Sequence, residues 1–478
     1  MQHIKNFFKA VGGFFKEFGV ALAKGSIFVK LSLIIMGIGY FRRKSFFKGI
    51  LVTVFEAVII AFTKIVAIPY ISKYNTLGTV QYASVYNPNT MKNEINDFDN
   101  SFKILLFGLI SILILIAALF IYIKNIINIY NLECDIKSGK HILTMKEEIM
   151  QYRDKKFYVT LLFLPCFGVI LFTIIPLITM ILVAFTDYDQ AHMPPSSLFT
   201  WVGFQNFKLM FTNTITSTFS YSFFKVIVWT LIWAFFATFT CYFLGLFLAV
   251  FINDKRTKCQ KLWRSLFVIT IAVPQFVSLL LVRNFFADTG IVNTICANIG
   301  VTSFLKNIGL VKASLTYIPF LTDPTWAKVM IILINIWVGI PYLMLISTGV
   351  LMNIPTDYSE AARIDGANER QIFRNITLPY MLFVTGPYLI TSFVGNINNF
   401  NVIYLLTNDV YNTMDQKLAN SSAKEVDLLV TWLYRLTQDK YNYKMASVIG
   451  IFVFIICATF TLIAFNKMIK GDKEEDFQ

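Results

Sequence analysis

The sequence predicts an all-α integral membrane protein with about eight transmembrane helices. Two observations predict this fold class. Of the 478 residues, 56% are hydrophobic and only 15% are charged, which is too apolar for a soluble chain of this length. The chain also contains a series of long, nearly uncharged runs, and about 20 apolar residues are enough to cross the hydrocarbon core of a bilayer.

Residues 1–48 form the first predicted region. Aromatic side chains are interspersed with lysines there, as at Phe14, Phe15 and Lys16. This pattern is typical of a basic amphipathic helix that lies on the inner surface of a membrane. A solvated tail is the alternative.

Two spans with an external and a cytoplasmic connection are predicted in residues 49–156. Six more are predicted in a core domain at 157–470, and a cytoplasmic tail follows at 471–478. We expect the spans near Ile50–Ile68, Ile104–Ile123, Phe157–Phe185, Phe223–Ile252, Leu266–Phe286, Ala327–Leu351, Met381–Leu406 and Met445–Phe465.

The net charge of +14 comes from basic residues between the spans, so it does not indicate a nucleic-acid partner. Basic clusters at 5–48, 124–156 and 255–264 alternate with connections such as 187–221, where Lys208 is the sole lysine or arginine. Because basic residues are enriched on the cytoplasmic side of membranes, we expect both termini in the cytoplasm. The six cysteines are scattered singly, which indicates neither a zinc site nor a disulfide framework.

Proline residues interrupt several of the core spans, at Pro165, Pro176, Pro274, Pro341 and Pro387. Proline removes a backbone donor, and lipid cannot satisfy the carbonyl that is left over, whereas a neighbouring helix or a water-filled cavity can. We therefore expect broken helices that line a pathway. Kinked packing helices are the alternative.

The connection at residues 353–379 has the pattern of two short helices. Pro355 ends the preceding span, and either Thr356 or Asp357 can cap a helix that runs from about Asp357 to Ile364. Negative charge in its first turn suits the helix dipole.

A left-handed turn is predicted at Gly366, followed by a second helix from about Ala367 to Phe373 and a turn into the membrane at Pro379. Ala361 and Ala362 keep one face of the first helix thin. A thin helix on the cytoplasmic side is suited to insert into a cleft on another protein.

The string Glu360-Ala-Ala-x-x-Asp365-Gly366-Ala367, followed by Phe373 and the string 376–379, resembles the EAA loop of binding-protein-dependent ABC importer permeases. The resemblance implies a protein of the bacterial plasma membrane. It also implies that this loop docks on an ATPase subunit, through Glu360, Ala361, Ala362, Asp365, Gly366 and Ala367.

The chain is most similar to MalF-like permeases for maltose and maltodextrin, on the strings 337–342, 396–404 and 427–436. This implies a type I permease core with two extra N-terminal spans. It also implies an oligosaccharide site formed by Val338, Gly339, Tyr342, Ser392, Gly395, Asn396 and Asn399. At one of these positions, Gly395, the resemblance implies an aromatic residue in a relative. Asn396 and Asn399 are three residues apart, which puts them on one helix face. Hydrogen bonding between helices is the alternative role of the asparagines.

The resemblance also implies the partners. These are a second, MalG-like permease, two ATP-binding cassette subunits that use ATP and Mg²⁺, an extracellular sugar-binding protein, the oligosaccharide and membrane lipid. We expect no catalytic residues, no metal site and no cofactor bound by this chain, since no catalytic or phosphate-binding motif occurs.

Two alternatives stay open. One is a permease for a different carbohydrate. The other is an ion-coupled secondary transporter that acts alone, which needs acidic residues at broken helices within the membrane. Glu56 is the acidic residue inside a predicted span, and Lys64 lies two turns further along. Because charge is costly there, we interpret the two as a structural pair or as a helix–helix contact.

Overall fold

A computed structural model describes residues 2–43, 45–87, 91–140, 145–212, 218–254 and 256–471. The chain divides into two compact units, Met1–Gly203 and Phe204–Gln478. The third apolar span, Phe157–Val183, belongs to the first unit, whereas the sequence placed it at the start of the core 157–470.

The first unit is mostly helical. Its helices are α1 Gln2–Lys24, α2 Ile27–Leu31, α3 Ile38–Arg42, α4 Phe46–Phe62, α5 Ile68–Ser72, α6 Ser101–Lys137, α7 Met145–Arg153, α8 Phe157–Val169 and α9 Ile175–Val183, with a 3₁₀ turn at Gln190–His192. Strands β1 (Ser84–Asn87) and β2 (Lys92–Ile95) form an antiparallel hairpin in which Ser84 pairs with Ile95.

The N-terminal region folds onto α6. Ala21 and Val29 are fully buried in a cluster with Ile126 and Ile129. Glu133 of α6 accepts a hydrogen bond of 3.2 Å from the backbone nitrogen of Ser26. The second half of the predicted region 1–48 is therefore packed structure, while a position of α1 on the membrane surface stays a prediction.

Glu56 of α4 contacts the turn between α2 and α3, so this bond is neither a pair with Lys64 nor a helix–helix contact, the two roles proposed for it. Its Oε2 atom lies 2.9 Å from the backbone nitrogen of Met36, which donates to it from the segment between α2 and α3. Lys64 is exposed within a π turn, at Thr63–Ala67.

The second unit consists of further helices. These are α10 Gln205–Phe211, α11 Phe219–Asn253, α12 Gln260–Ala272, α13 Gln275–Phe285, α14 Ile291–Asn298, α15 Val301–Asn307, α16 Pro324–Leu351, α17 Thr356–Ile364, α18 Glu369–Ile372, α19 Leu378–Ile397, α20 Phe400–Thr407, α21 Gln416–Asn420, α22 Leu429–Gln438 and α23 Tyr443–Gly471.

Seven helical runs in the described residues are long and apolar enough to cross a membrane. They are Phe46–Ser72, Ser101–Lys137, Phe157–Val183, Phe219–Asn253, Pro324–Leu351, Glu369–Thr407 and Tyr443–Met468. The helices α12 and α13, bent by 92° at their junction, provide an eighth if they form one span. The predicted fold class, an all-α membrane protein with about eight spans, is confirmed.

The bend between α12 and α13 has a local cause. The residue before a proline is pushed out of the helical region, and Val273 accordingly has φ −78° and ψ 124°. Helix α12 therefore ends at Ala272, and Pro274 is the N-cap of α13. The span predicted at Leu266–Phe286 is thus not one straight helix.

The other prolines do not break their helices, which corrects the expectation of several broken spans. Pro165, Pro341 and Pro387 lie inside continuous helices, α8, α16 and α19. Pro176 follows a π turn at Ile170–Ile174 instead of a break. A helix can absorb a missing donor by such a local adjustment.

Helices α11 and α16 form the centre of the second unit. Trp229 and Trp233 of α11 pack in a buried cluster with Ile331 and Ile334 of α16. The indole of Trp233 donates a 3.0 Å hydrogen bond to the backbone carbonyl of Asn396 at the end of α19. These contacts hold α11 against α16 and α19, the two helices that carry most of the predicted substrate residues.

Candidate functional site

The predicted docking helix is α17, and it begins one residue earlier than expected. Pro355, with ψ 129°, occupies the N-cap position, so Thr356 is already helical. The expected side-chain cap from Thr356 or Asp357 is therefore wrong. Ser359 Oγ instead donates to the Thr356 carbonyl at 2.8 Å. Asp357 in the first turn and Arg363 in the last complement the helix dipole.

The turn after α17 is a Schellman motif. Gly366 has φ +83°, its nitrogen donates to the Arg363 carbonyl at 3.1 Å, and the Ala367 nitrogen donates to the Ala362 carbonyl at 2.9 Å. Two of the orphan carbonyls at the helix end are thus satisfied. The predicted left-handed turn at Gly366 is confirmed.

A capping box begins the next helix. Asn368 accepts from the backbone nitrogen of Gln371 at 3.0 Å, and Gln371 accepts from that of Asn368 at 2.9 Å. Across the turn, Arg363 Nη2 and Glu369 Oε1 lie 3.1 Å apart. Both side chains are exposed, so the pair contributes at most about 1 kcal/mol.

The sequence predicts a turn into the membrane at Pro379, but the structure has no turn there. Helix α18 ends at Ile372, a π turn at Phe373–Thr377 follows, and Pro379 lies in the first turn of α19. The run Glu369–Thr407 therefore continues from the loop into the bundle. Phe373 packs against a buried cluster formed by Tyr242, Leu246, Leu343 and Met381.

The predicted docking residues lie together on the outer part of this loop. Glu360, Ala361, Asp365 and Gly366 are exposed, whereas Ala362 and Ala367 are partly buried. Two apolar residues outside the predicted docking set are also exposed, Tyr358 at 45% and Ile364 at 86%. Apolar side chains on an otherwise polar loop are the signal that could have identified them.

The predicted substrate residues are only partly brought together. A cavity of about 530 Å³ lies between the α12–α13 bend and α16. Val338 and Tyr342 line it, together with Trp337, Gln275 and Ser278, and no lining side chain is charged. Trp337 is 59% exposed and was not among the predicted site residues.

Gly339 faces away from this cavity. A Cβ atom on it would lie 3.1 Å from Cys241 Sγ of α11, so the glycine permits close packing of α11 and α16. Gly395 of α19, by contrast, has no atom within 4 Å of the position of its missing Cβ atom. The position beside Gly395 is therefore open.

Asn396 and Asn399 do not line the cavity. Asn396 Nδ2 donates to Thr238 Oγ1 of α11 at 3.0 Å, and Asn399 Nδ2 donates to Asn396 Oδ1 at 3.3 Å. Helix α19 ends at Ile397, and Asn399 is the N-cap of α20. The two asparagines are therefore neighbours, but the prediction that they share one helix face is wrong. Ser392 lies one turn before Asn396 in α19.

Residues 242–470 match the family model described as "Binding-protein-dependent transport system inner membrane component". The maltodextrin transport system permease protein MalC of Streptococcus pneumoniae is 32% identical to the chain, over 92% of this chain and 96% of the relative. The chain belongs to this family. It is therefore a permease component of a membrane transport system.

Further comparisons agree with this family. The galactooligosaccharides transport system permease protein GanP of Bacillus subtilis is also 32% identical, over 92% of this chain and 97% of the relative. The solved structure of a bacterial ABC transporter that imports alginate contains a chain with a TM-score of 0.50 and 23% identity, covering 69% of this permease and all of that chain. The last comparison shows a shared permease fold.

Proposed function

We propose that the permease carries a neutral oligosaccharide of the maltodextrin type through the cavity beside α16. The observation that supports this proposal is the lining of the cavity. Trp337 and Tyr342 offer apolar ring faces, Gln275 and Ser278 offer donors and acceptors, and no charge is present. Sugars need this combination, and the volume of about 530 Å³ suits a small ligand.

A different carbohydrate is the second candidate. The name of MalC refers to maltodextrin and that of GanP to galactooligosaccharides, at equal identity and similar coverage. Neither comparison favours one glycosidic linkage over the other.

The transport cycle that we propose needs partner subunits. An extracellular binding protein would deliver the sugar, a second permease would form the other half of the pathway, and two ATPase subunits would hydrolyse ATP with Mg²⁺. The 353–379 loop supports the ATPase contact because its exposed helix, α17, is joined by the Gly366 turn and α18 to the buried contacts of Phe373. Closure of the ATPase subunits would then bias the position of α19.

Reversing the charge of Glu360 tests the coupling assignment. We expect Glu360→Lys to abolish copurification of the ATPase subunits and ATP-dependent uptake, while the permease stays folded in the membrane. Asp439→Lys is the control, because Asp439 is an exposed acid beyond α22, outside the loop. Full uptake by Glu360→Lys would contradict the assignment.

The substrate is tested by sugar-stimulated ATPase activity of the reconstituted transporter with its binding protein. We expect stimulation by maltodextrins to exceed that by galactooligosaccharides, and Trp337→Ala to lower it at unchanged thermal stability. Stronger stimulation by galactooligosaccharides would favour the second candidate. A response that Trp337→Ala and Tyr342→Ala both leave unchanged would remove the cavity from the sugar path.

A further inference from the structure

An open groove of about 700 Å³ lies between α11 and α16, away from the sugar cavity. It is formed by the first turns of both helices, from Ser220 to Ile232 and at Lys328. The 353–379 loop follows the last residue of α16, so the groove lies at the opposite end of that helix. The groove combines a cationic rim with an apolar wall.

The charge of one rim residue is already compensated. Lys225 Nζ lies 2.7 Å from Asp415 Oδ2 and 3.1 Å from the Tyr221 hydroxyl. Burial alone raises the pKa of Asp415, but the hydrogen bonds from Lys225 and Tyr221 lower it to about 2. Asp415 is therefore ionised at neutral pH and holds Lys225.

Two other lysines at the groove have no ion pair among the described residues. Lys328 is partly buried, with its Nζ 5.0 Å from the ring centroid of Trp229, and Lys417 Nζ lies 5.3 Å from that of Tyr221. The nearby Glu425 is buried and accepts hydrogen bonds from the Tyr411 hydroxyl and two backbone nitrogens. Positive charge exceeds negative charge here even when Glu425 is counted.

The apolar wall runs from this rim along α11. Phe224, Val228 and Ile232 are spaced by four residues, lie on one side of the helix, and are 55%, 56% and 43% exposed. At about 1.5 Å per residue, the wall extends about 12 Å along the helix axis from Phe224, next to Lys225, to Ile232. It does so within an apolar span, towards the hydrocarbon core.

We propose that this groove binds an anionic phospholipid. The lipid phosphate would contact Lys328 and Lys417, and an acyl chain would lie along Phe224, Val228 and Ile232. A soluble phosphate could use the two cations but leaves the apolar wall exposed. A zwitterionic lipid could use the wall, but its own ammonium group cancels the charge attraction.

The test uses the purified transporter with the full-length permease in detergent, and counts bound lipids by native mass spectrometry. We expect phosphatidylglycerol to bind more tightly than phosphatidylcholine with the same acyl chains. Lys328→Gln and Lys417→Gln should each weaken phosphatidylglycerol binding about fivefold, since a lysine near an anionic headgroup contributes about 1 kcal/mol. Lys312→Gln, which replaces an exposed lysine outside the groove, should change nothing.

A photoreactive phosphatidylglycerol should cross-link to Phe224, Val228 or Ile232 of α11. Lys417 is exposed, so its variant keeps the test valid if Lys328→Gln fails to fold. Equal binding of the two lipids, or variants that bind like the control, would overturn the proposal. So would release of the lipid by inorganic phosphate alone, or a cross-link showing that a partner subunit fills the groove.

Discussion

Gly366 and Gly300 have almost the same φ, +83° and +82°, and at both positions no atom of the described residues would obstruct a side chain. Gly366 joins α17 to the segment that enters the bundle, whereas Gly300 joins α14 to α15. A side chain at either position strains the backbone to a similar extent. Comparing variants at the two glycines therefore distinguishes the general cost of backbone strain from the effect of strain within the 353–379 loop.

We therefore expect Gly366→Val and Gly300→Val each to lower the stability of the permease by about 1–2 kcal/mol. Only Gly366→Val should also lower ATP-dependent uptake. The measurements are thermal unfolding of the purified transporter and sugar uptake into proteoliposomes. Equal uptake by the two variants would show that the geometry of the Gly366 turn does not matter for coupling.

Single residues were predicted well where the physics is local. Gly366 could be identified because few residues other than glycine adopt a positive φ at a helix end. The cap at Thr356 or Asp357 was wrong because Pro355 fixes the entry angle. The hydrogen bond from Asn396 to Thr238 joins positions 158 residues apart, and no local pattern predicts it.

At the scale of the helix, prolines in similar apolar contexts have three outcomes. Pro274 separates two helices at 92°, Pro176 follows a π turn, and Pro341 sits in a continuous helix. The sequence predicted that these residues matter but not which would break a span. The outcome depends on whether neighbouring elements satisfy the released carbonyl, and this is set by the tertiary structure.

The bend at Pro274 forms one wall of the cavity, so we expect Pro274→Ala to impair transport. Alanine lets Val273 return to helical angles, and α12 and α13 could then align and close the cavity. Sugar-stimulated ATPase activity should fall by roughly fivefold, equal to about 1 kcal/mol. The measurement is a titration of the reconstituted transporter with sugar.

Pro165→Ala is the matched control for this variant, because Pro165 is also exposed but lies inside the continuous helix α8. Its ATPase stimulation should match that of the wild type. If both proline variants behave alike, the bend does not shape the sugar path.

For the molecule as a whole, membrane topology depends on the bent pair α12–α13. The basic stretch 255–264 leads into the first turns of α12, and the 353–379 loop follows the pair after one further span, α16. The two connections lie on the same side only if α12 and α13 together cross the membrane. A re-entrant pair would put the 353–379 loop on the side opposite to the basic stretch 255–264.

Cysteine labelling of the two ends of α16 decides between these topologies. In a cysteine-free background, we expect Ser314→Cys to react with an impermeant maleimide in intact cells and Asn353→Cys to react only after permeabilisation. Both positions are exposed, so a difference in reactivity reports the side of the membrane. The opposite labelling pattern would show that the bent pair does not cross.

The fold class and the family were therefore predictable from the sequence. Hydropathy predicts the fold class, and the motif in the 353–379 loop predicts the family. The helix–turn–helix pattern of the 353–379 loop was predictable in outline. The cavity was not, since it is formed by the bend at Pro274 and by Trp337, which approach each other only in the folded unit. Exposure of Tyr358 and Ile364 is likewise a property of the folded loop.

The described part of the chain has three π turns, and their shared position relative to prolines affects how the chain tolerates changes in length. They occupy Thr63–Ala67, Ile170–Ile174 and Phe373–Thr377, and each ends two residues before a proline, at Pro69, Pro176 or Pro379. A π turn holds one residue more than the α-helical turn it replaces. Loss of one residue there would leave both flanking helical faces in phase, whereas loss elsewhere rotates everything beyond it by about 100°.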